Sequence, residues 1–368
     1  MMIQRVVLRH LSMNLKSPFV TSFGTTTERE FLLIEVHDQD GIIGYGESTA
    51  MRDPLYNEET LKGNHHLLRD YLIPLVLGRP FSHPDECIRL FAPIRRNMMA
   101  KAAIECAIWD LYAKRKNLSL SRAIGGKAEK IPVGVSIGIQ EDVTAMLKQV
   151  EHFLSEGYQR FKVKVKPGFD VDVIAAIRQT FGDIPLMADA NSAYTLRDAE
   201  HLKQLDPYNL MMIEQPLGHD DIVDHAVLQR QLATPICLDE SIHTVDDARK
   251  AIDLGSCRII NIKVGRVGGL SLSKQIHDLC QARNIPVWCG GMLESGVGRA
   301  HNVAVTTLPG FTLPGDTSGS NRYWQQDIIE PEVIVENGYI RVPSRPGIGY
   351  EVNQNRLDAV TQASETYK

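Results

Sequence analysis

Phe161-Lys162-Val163-Lys164-Val165 reads as a strand with two unlike faces. Side chains alternate along an extended chain, so Phe161, Val163 and Val165 share one face and Lys162 and Lys164 the other. The apolar face must meet a covering layer, which turns both lysines to the opposite side. Buried lysines are rarely found without a partner or a purpose. Lys164 also opens a series: Asp189, Glu214, Asp239 and Lys263 follow at steps of 25, 25, 25 and 24 residues, each closing a short apolar run. A step of that size is about one strand, one covering helix and two short loops. Apolar strands that each end in a charge, with helices between them, describe a parallel β/α barrel of the TIM type. Barrel enzymes keep their chemistry on the C-terminal face where such charges gather.

Outward from that segment, eight strands are predicted: Val133–Ile137, Arg160–Val165, Leu186–Asp189, Met211–Glu214, Ile236–Asp239, Ile259–Lys263, Val287–Cys289 and Thr312–Pro314. Helices fit between them, among them Val143–Ser155, Val171–Phe181, Leu196–Leu205 and Leu270–Arg283. Before the barrel, Ile3–Leu8, Glu30–His37 and Ile42–Glu47 read as strands, with a turn at Asp38–Gly41 and a polar loop over Pro18–Thr27. Helices are expected from Asn57, as N-cap, to about Leu75, over Pro84–Phe91, and over Ala100–Lys116, where Ala103, Ala107 and Leu111 recur four apart and allow close packing. The tail returns to short strands and turns at Val333–Val335 and Tyr339–Val342 and folds back on the N-terminal module. The expected α/β architecture is an α+β capping domain over 1–128, a modified β/α barrel over 129–318 and a C-terminal segment, 319–368, returning to the cap.

The 368 residues suit a barrel plus a smaller domain. A net charge of −5 gives no sign of a nucleic-acid partner or an anionic membrane surface. No apolar run reaches membrane-spanning length, and Met1–His10 has no signal-peptide character. The six cysteines include no C-x-x-C pair and read as reduced, buried thiols of a cytosolic protein.

Asp189, Glu214 and Asp239 end adjacent strands, where three carboxylates repel one another unless a cation holds them. Oxygen-only ligands point to a hard divalent ion, Mg²⁺ foremost, with Mn²⁺ able to substitute. Lys162 and Lys164 stand on one wall, and two close, desolvated ammoniums depress each other's pKa, which suits a general base. Lys263 stands on the other wall. Two bases with an ion between them suit removal of a proton α to a carboxylate, with the ion stabilising the developing enediolate.

At these motifs the chain resembles the muconate-lactonising subgroup of the enolase superfamily: Lys162-Val-Lys164, Asp189-Ala-Asn191, Ile213-Glu214-Gln215-Pro216, Asp239-Glu240-Ser241 and Asn261-Ile262-Lys263. The resemblance spans essentially the whole length. Gly265–Gly269, Trp288–Gly296 and Leu313–Asp316 resemble, in particular, the o-succinylbenzoate synthases and N-acylamino acid racemases. It implies that Lys164 abstracts the α-proton and that Lys162 lowers its pKa. Asp189, Glu214 and Asp239 would bind Mg²⁺. Lys263 would act on the opposite face, as second base in racemisation or as a cation in dehydration, the hydro-lyase step of menaquinone synthesis. Asn191 and Glu240 would support the metal site, and Ser136, Asn191, Gly291 and Met292 would touch a small carboxylate substrate. The Pro18–Thr27 and Ser48–Tyr56 segments would close over the barrel mouth. A homo-oligomer is implied as well.

From the residues alone, Ser136 is equally a buried serine bonded to backbone, and Arg266 either a partner for a distal carboxylate or a solvated loop residue. A muconate-type cycloisomerase is the alternative within the superfamily. A dipeptide epimerase is disfavoured, because Asp316-Thr317-Ser318 lacks an Asp-x-Asp pair. A Schiff-base aldolase is the alternative from another class.

Overall fold

Alternation of apolar and polar residues near the N-terminus builds a long ribbon. In a computed structural model, which describes residues 1–21 and 24–368, β1 (Ile3–Thr21) and β2 (Gly24–Asp38) pair antiparallel, and β2 pairs with β3 (Ile43–Ser48). The Pro18–Thr27 segment, expected as a loop, is paired instead: Phe19, Val20 and Thr21 lie opposite Thr26, Thr25 and Gly24. Its threonines favour extended backbone, and pairing satisfies their N–H groups. Ser22 and Phe23, also within that segment, lie outside the described residues.

The cap continues through α1 (Leu61–Leu67), α2 (Ile73–Val76), α3 (Glu86–Phe91), α4 (Met98–Arg115) and α5 (Leu120–Ala123). The first of these is capped by Thr60, not by Asn57. The Thr60 hydroxyl accepts the Gly63 N–H at 3.1 Å, whereas the Asn57 side chain accepts the Glu59 N–H at 3.2 Å. A π-turn over Leu68–Leu72 interrupts the expected helix just before Pro74, which cannot donate to it. The alanine face of α4 lies flat on β3. A Cβ on Gly44 would come 2.1 Å from the Ala107 carbonyl oxygen, and one on Gly46 2.0 Å from that of Ala103.

After β4 (Lys130–Pro132) comes the barrel. Its strands are β5 (Val135–Ile137), β6 (Phe161–Lys164), β7 (Leu186–Asp189), β8 (Ile213–Glu214), β9 (Ile236–Leu238), β10 (Ile259–Ile262) and β11 (Val287–Cys289), all parallel and hydrogen-bonded in sequence order. The helices between them are α6 (Val143–Ser155), α7 (Val171–Phe181), α8 (Ala199–Leu202), α9 (Val223–Gln229), α10 (Val245–Leu254) and α11 (Leu270–Ala282), with α12 (Gly296–Thr306) after β11. The expected Leu196–Leu205 helix is α8 flanked by two 3₁₀ turns, the second containing Pro207.

The eighth predicted strand, Thr312–Pro314, forms no ladder. Phe311 bridges to Val287 and Gly315 to Val133, so this stave closes the curl through single bridges on either side. Pro314 has no N–H to give a ladder, which is why the segment stays irregular.

The tail holds β12 (Ile329–Glu330), β13 (Tyr339–Arg341), β14 (Glu351–Val352), α13 (Gln354–Val360) and β15 (Thr361–Tyr367). The last strand pairs antiparallel with β1, and β13 pairs with β4. No strand forms over Val333–Val335; Val333 is buried there. Helix α13 and strand β15 were not expected. All six cysteines are buried and free. Among the described residues no helix is long and apolar enough to cross a membrane.

Candidate active site

Strand register decides which charges meet. Ser136 lies beside Lys162, Lys164 beside Asp189, and Asp189 beside Glu214, so four neighbouring staves present one row of polar side chains into the barrel. Lys162, Lys164, Lys263, Glu240 and Ser136 are buried, and Asp189, Glu214 and Asp239 are fully so.

Lys164 and Lys162 share one carboxylate oxygen. Asp189 Oδ2 lies 2.7 Å from Lys164 Nζ and 3.1 Å from Lys162 Nζ. Lys162 also reaches Glu214 Oε2 at 3.2 Å and Asp316 Oδ2 at 2.7 Å. On the far wall, Lys263 Nζ stands 2.7 Å from Asp239 Oδ2, though without hydrogen-bond geometry, and donates to the Tyr56 hydroxyl at 3.1 Å. Asn191 accepts from Lys164, and its amide donates to Glu240 at 2.8 Å.

These surroundings divide the lysines. Burial pushes the Lys164 ammonium below its ordinary pKa; Asp189 opposes that shift and Lys162 adds to it. Burial acts on Lys162 too, but Asp316, Glu214 and Asp189 outweigh it and hold it above the ordinary value. Lys263 is likewise raised: burial is overcome by Tyr56 and Glu240. Burial lifts Glu214, with Asp189 adding to the effect, and burial also lifts Glu240. Asp189 is held low against its burial by Lys164 and Lys162.

The three strand-end acids do not close around a common point as placed. Each is engaged by an ammonium or guanidinium, and among the described residues no group of three His, Cys, Asp or Glu is gathered as an ion-holding set. The donor set nevertheless fits a hard cation. It is oxygen-only and buried, and Glu240 Oε2 makes no hydrogen bond to a described residue. Binding an ion here requires ammoniums to move off the carboxylates they now touch.

A cavity of about 60 Å³ opens on this row. Lys164, Asn191 and Lys263 line it from the barrel, Gly291 and Met292 from the loop after β11, and Tyr56 from the cap. The β1–β2 ribbon contributes Phe19, Thr21 and Thr26 to the same wall. The buried Ser136 hydroxyl makes no hydrogen bond to any described residue and is not in that lining.

Tyr56 and Arg160 were not singled out as site residues from the sequence, and Arg266 and Asp316 were named there without a place in the site. Tyr56 donates to Asp239 Oδ1 at 3.3 Å and joins cap to barrel. Arg266, left open between a partner for a distal carboxylate and a solvated loop residue, is fully buried against Asp239 of the barrel and donates to the Ile242 carbonyl at 2.8 Å. Arg160 and Asp316 pair at 2.6 Å beneath the lysines, and Arg160 lies over the Trp288 ring. The inward parity of residues 160, 162 and 164 carries a signal for Arg160. Nothing local marks Tyr56 or Asp316.

A capped β/α barrel with buried carboxylates and lysines opposed across its mouth defines a class: enzymes that work on acidic C–H bonds beside carboxylates. The family follows from comparison. Residues 3–125 match the mandelate racemase/muconate lactonizing enzyme N-terminal domain, and 145–356 the enolase C-terminal domain-like model; the chain belongs to this branch of the enolase superfamily. It is 60% identical to an o-succinylbenzoate synthase of Geobacillus stearothermophilus, over 99% of this chain and 97% of that one. It is 47% identical to an N-succinylamino acid racemase of Thermus thermophilus, over 98% of both. An enolase-superfamily crystal structure from Listeria innocua superposes with a TM-score of 0.97 at 45% identity, covering 100% of this chain and 99% of that one. Enzymes of this branch generally use Mg²⁺.

Proposed function

We propose that this chain removes the proton α to a carboxylate in a divalent-metal-dependent reaction, acting as an o-succinylbenzoate synthase and as an N-acylamino acid racemase. The observation that carries the reading is that Lys164 and Lys263 line one small cavity from opposed staves, with carboxylates between them. Relatives named for each of the two reactions support both activities on one site.

Lys164, depressed by burial, is the base that takes the α-proton. Lys162, kept charged by its three carboxylates, disfavours protonation of Lys164 beforehand. Lys263 returns a proton to the opposite face in racemisation, or stays a cation beside the reacting carbon in dehydration. Asp189, Glu214 and Asp239 would hold Mg²⁺ or Mn²⁺, and Glu240 and Asn191 would orient them. The ion, when bound, offsets negative charge developing on the substrate carboxylate. Asn191, Gly291 and Met292 line the cavity that would take the substrate, and Ser136, buried beside Lys162 outside that lining, would reach the substrate only with some local rearrangement. Charge balance agrees: five buried carboxylates (Asp189, Glu214, Asp239, Glu240, Asp316) face five buried cations (Arg160, Lys162, Lys164, Lys263, Arg266). With Lys164 neutral and a dication present, one positive charge remains for a substrate carboxylate to meet.

The reading extends to a cap over 1–128, a barrel over 129–318 and a returning tail over 319–368, in a cytosolic homo-oligomer. The test is incubation with the dehydration substrate of the o-succinylbenzoate synthases and, separately, with N-succinylamino acids in deuterated water. Turnover lost to EDTA and restored by Mg²⁺ is expected, with Lys164→Ala reducing both reactions by about 10³-fold or more. Turnover that survives chelation would sink the reading.

A further inference from the structure

Lys162 has more carboxylate partners than an electrostatic helper needs. Two of them, Asp189 Oδ2 at 3.1 Å and Glu214 Oε2 at 3.2 Å, are those the proposed function assigns to the ion. The third and shortest contact, 2.7 Å, is to Asp316 Oδ2. An ammonium and a dication cannot both occupy Asp189 and Glu214 without strong repulsion at these distances. Asp316 offers the ammonium another anchor.

That anchor is held firmly. The Asp316 N–H donates to the Cys289 carbonyl at 2.8 Å, and the preceding Gly315 carbonyl accepts the Gly134 N–H at 2.8 Å. Arg160 clamps the same turn twice, through Pro314 O at 3.1 Å and Asp316 Oδ1 at 2.6 Å. Lys162 rests 5.0 Å from the centroid of the Trp288 ring. The stave without a ladder is thus tied to β6 by charge, and the tie ends on Lys162.

We infer that Asp316 is a positioning residue that draws Lys162 away from Asp189 and Glu214 and so keeps those carboxylates available to the divalent ion. The inference rests on the reading of Asp189 and Glu214 as ion ligands.

The test is Mn²⁺ affinity of the purified full-length protein, by calorimetry or by electron paramagnetic resonance of free Mn²⁺, with no substrate present. Asp316→Asn should weaken Mn²⁺ binding by about tenfold, as expected of coupling between charged groups in contact. In a Lys162→Met background the same substitution should change affinity by less than about twofold, because the competing ammonium is gone. An equal loss in both backgrounds would mean that Asp316 acts only through its bulk negative field, and unchanged affinity in the first would remove its role altogether; either overturns the inference. Should Asp316→Asn not fold by circular dichroism, Asp316→Ser carries the same two expectations. Wild-type protein that binds no Mn²⁺ would instead overturn the ligand assignment beneath it.

Discussion

At the scale of single residues, the site is governed by which neighbour each charge has. The Tyr56 hydroxyl sits among Lys263, Arg266 and Asp239, at 3.1, 3.4 and 3.3 Å. Hydrogen bonds to charged groups contribute about 1.5–3 kcal/mol to stability, so Tyr56→Phe should lower the melting temperature by several degrees and, by releasing Lys263, lower kcat/KM by roughly tenfold, read from initial rates. Gly290 makes a sharper case. A Cβ there would lie 2.5 Å from Asn261 Oδ1 and 2.8 Å from Lys263 Cε. Gly290→Ala should therefore displace Lys263 and cut racemisation by about 10²-fold or more, measured as loss of optical rotation, in a protein whose circular dichroism is that of the wild type. Lys162, Lys164, Asp189, Glu214 and Lys263 were legible in the sequence because strand alternation and a constant step are local or periodic signals. Tyr56 and Asp316 were not. Their partners lie more than 150 positions away, and only closure of the cap and of the eighth stave brings them in.

At the scale of elements, the cap is fastened to the barrel by buried carboxylates at helix N-termini. Glu105 of α4 accepts the Leu270 and Ser271 N–H groups of α11 at 2.8 and 2.9 Å. Glu47 of β3 accepts from Ser295 and from the Gly298 N–H at the start of α12. Burial raises both to about 7 from an ordinary 4.5, as it does Glu59, whose carboxylate accepts the Met99 and Ala100 N–H groups at the start of α4 within the cap. A raised native pKa means the folded protein binds more protons than the unfolded chain between pH 4.5 and 7. Stability therefore falls as pH climbs through that window and levels off above it. Each group contributes on the order of 3 kcal/mol to the fall. Glu105→Gln should flatten the dependence by about that amount, measured by denaturant unfolding at pH 5 and pH 8. The two crossings left no mark in the sequence, where Glu47 and Glu105 read as ordinary acids of strand and helix. The expected loop over Pro18–Thr27 failed for a related reason: a polar ribbon has the composition of a loop, and only its partner strand tells them apart.

At the scale of the whole molecule, the divalent ion proposed for the site would be linked to folding. An ion that binds only the native barrel stabilises it by about 2.7 kcal/mol at a concentration of 100 Kd. Adding Mg²⁺ or Mn²⁺ to metal-stripped protein should raise the melting temperature in calorimetry and EDTA should reverse it, with Ca²⁺ giving a smaller shift because it prefers more ligands at longer distance. The two-domain plan was readable from length and from the change of rhythm near residue 130. The closing of the curl by bridges and an ion pair was not, since Thr312–Pro314 has the apolar character of a strand and only its proline argues otherwise.

Helix α4 lies on β3 at glycine distance, and the same two elements plant Glu105 and Glu47 in the barrel. These contacts tie the cap to the barrel at two points away from the cavity. The cavity is roofed instead by Phe19, Thr21 and Thr26 of the β1–β2 ribbon and by Met51 and Tyr56 of the cap. Substitutions at Phe19, Thr21, Thr26 and Met51 should therefore alter which substrates are turned over more than they alter the melting temperature, measured as relative kcat/KM across N-succinylamino acids.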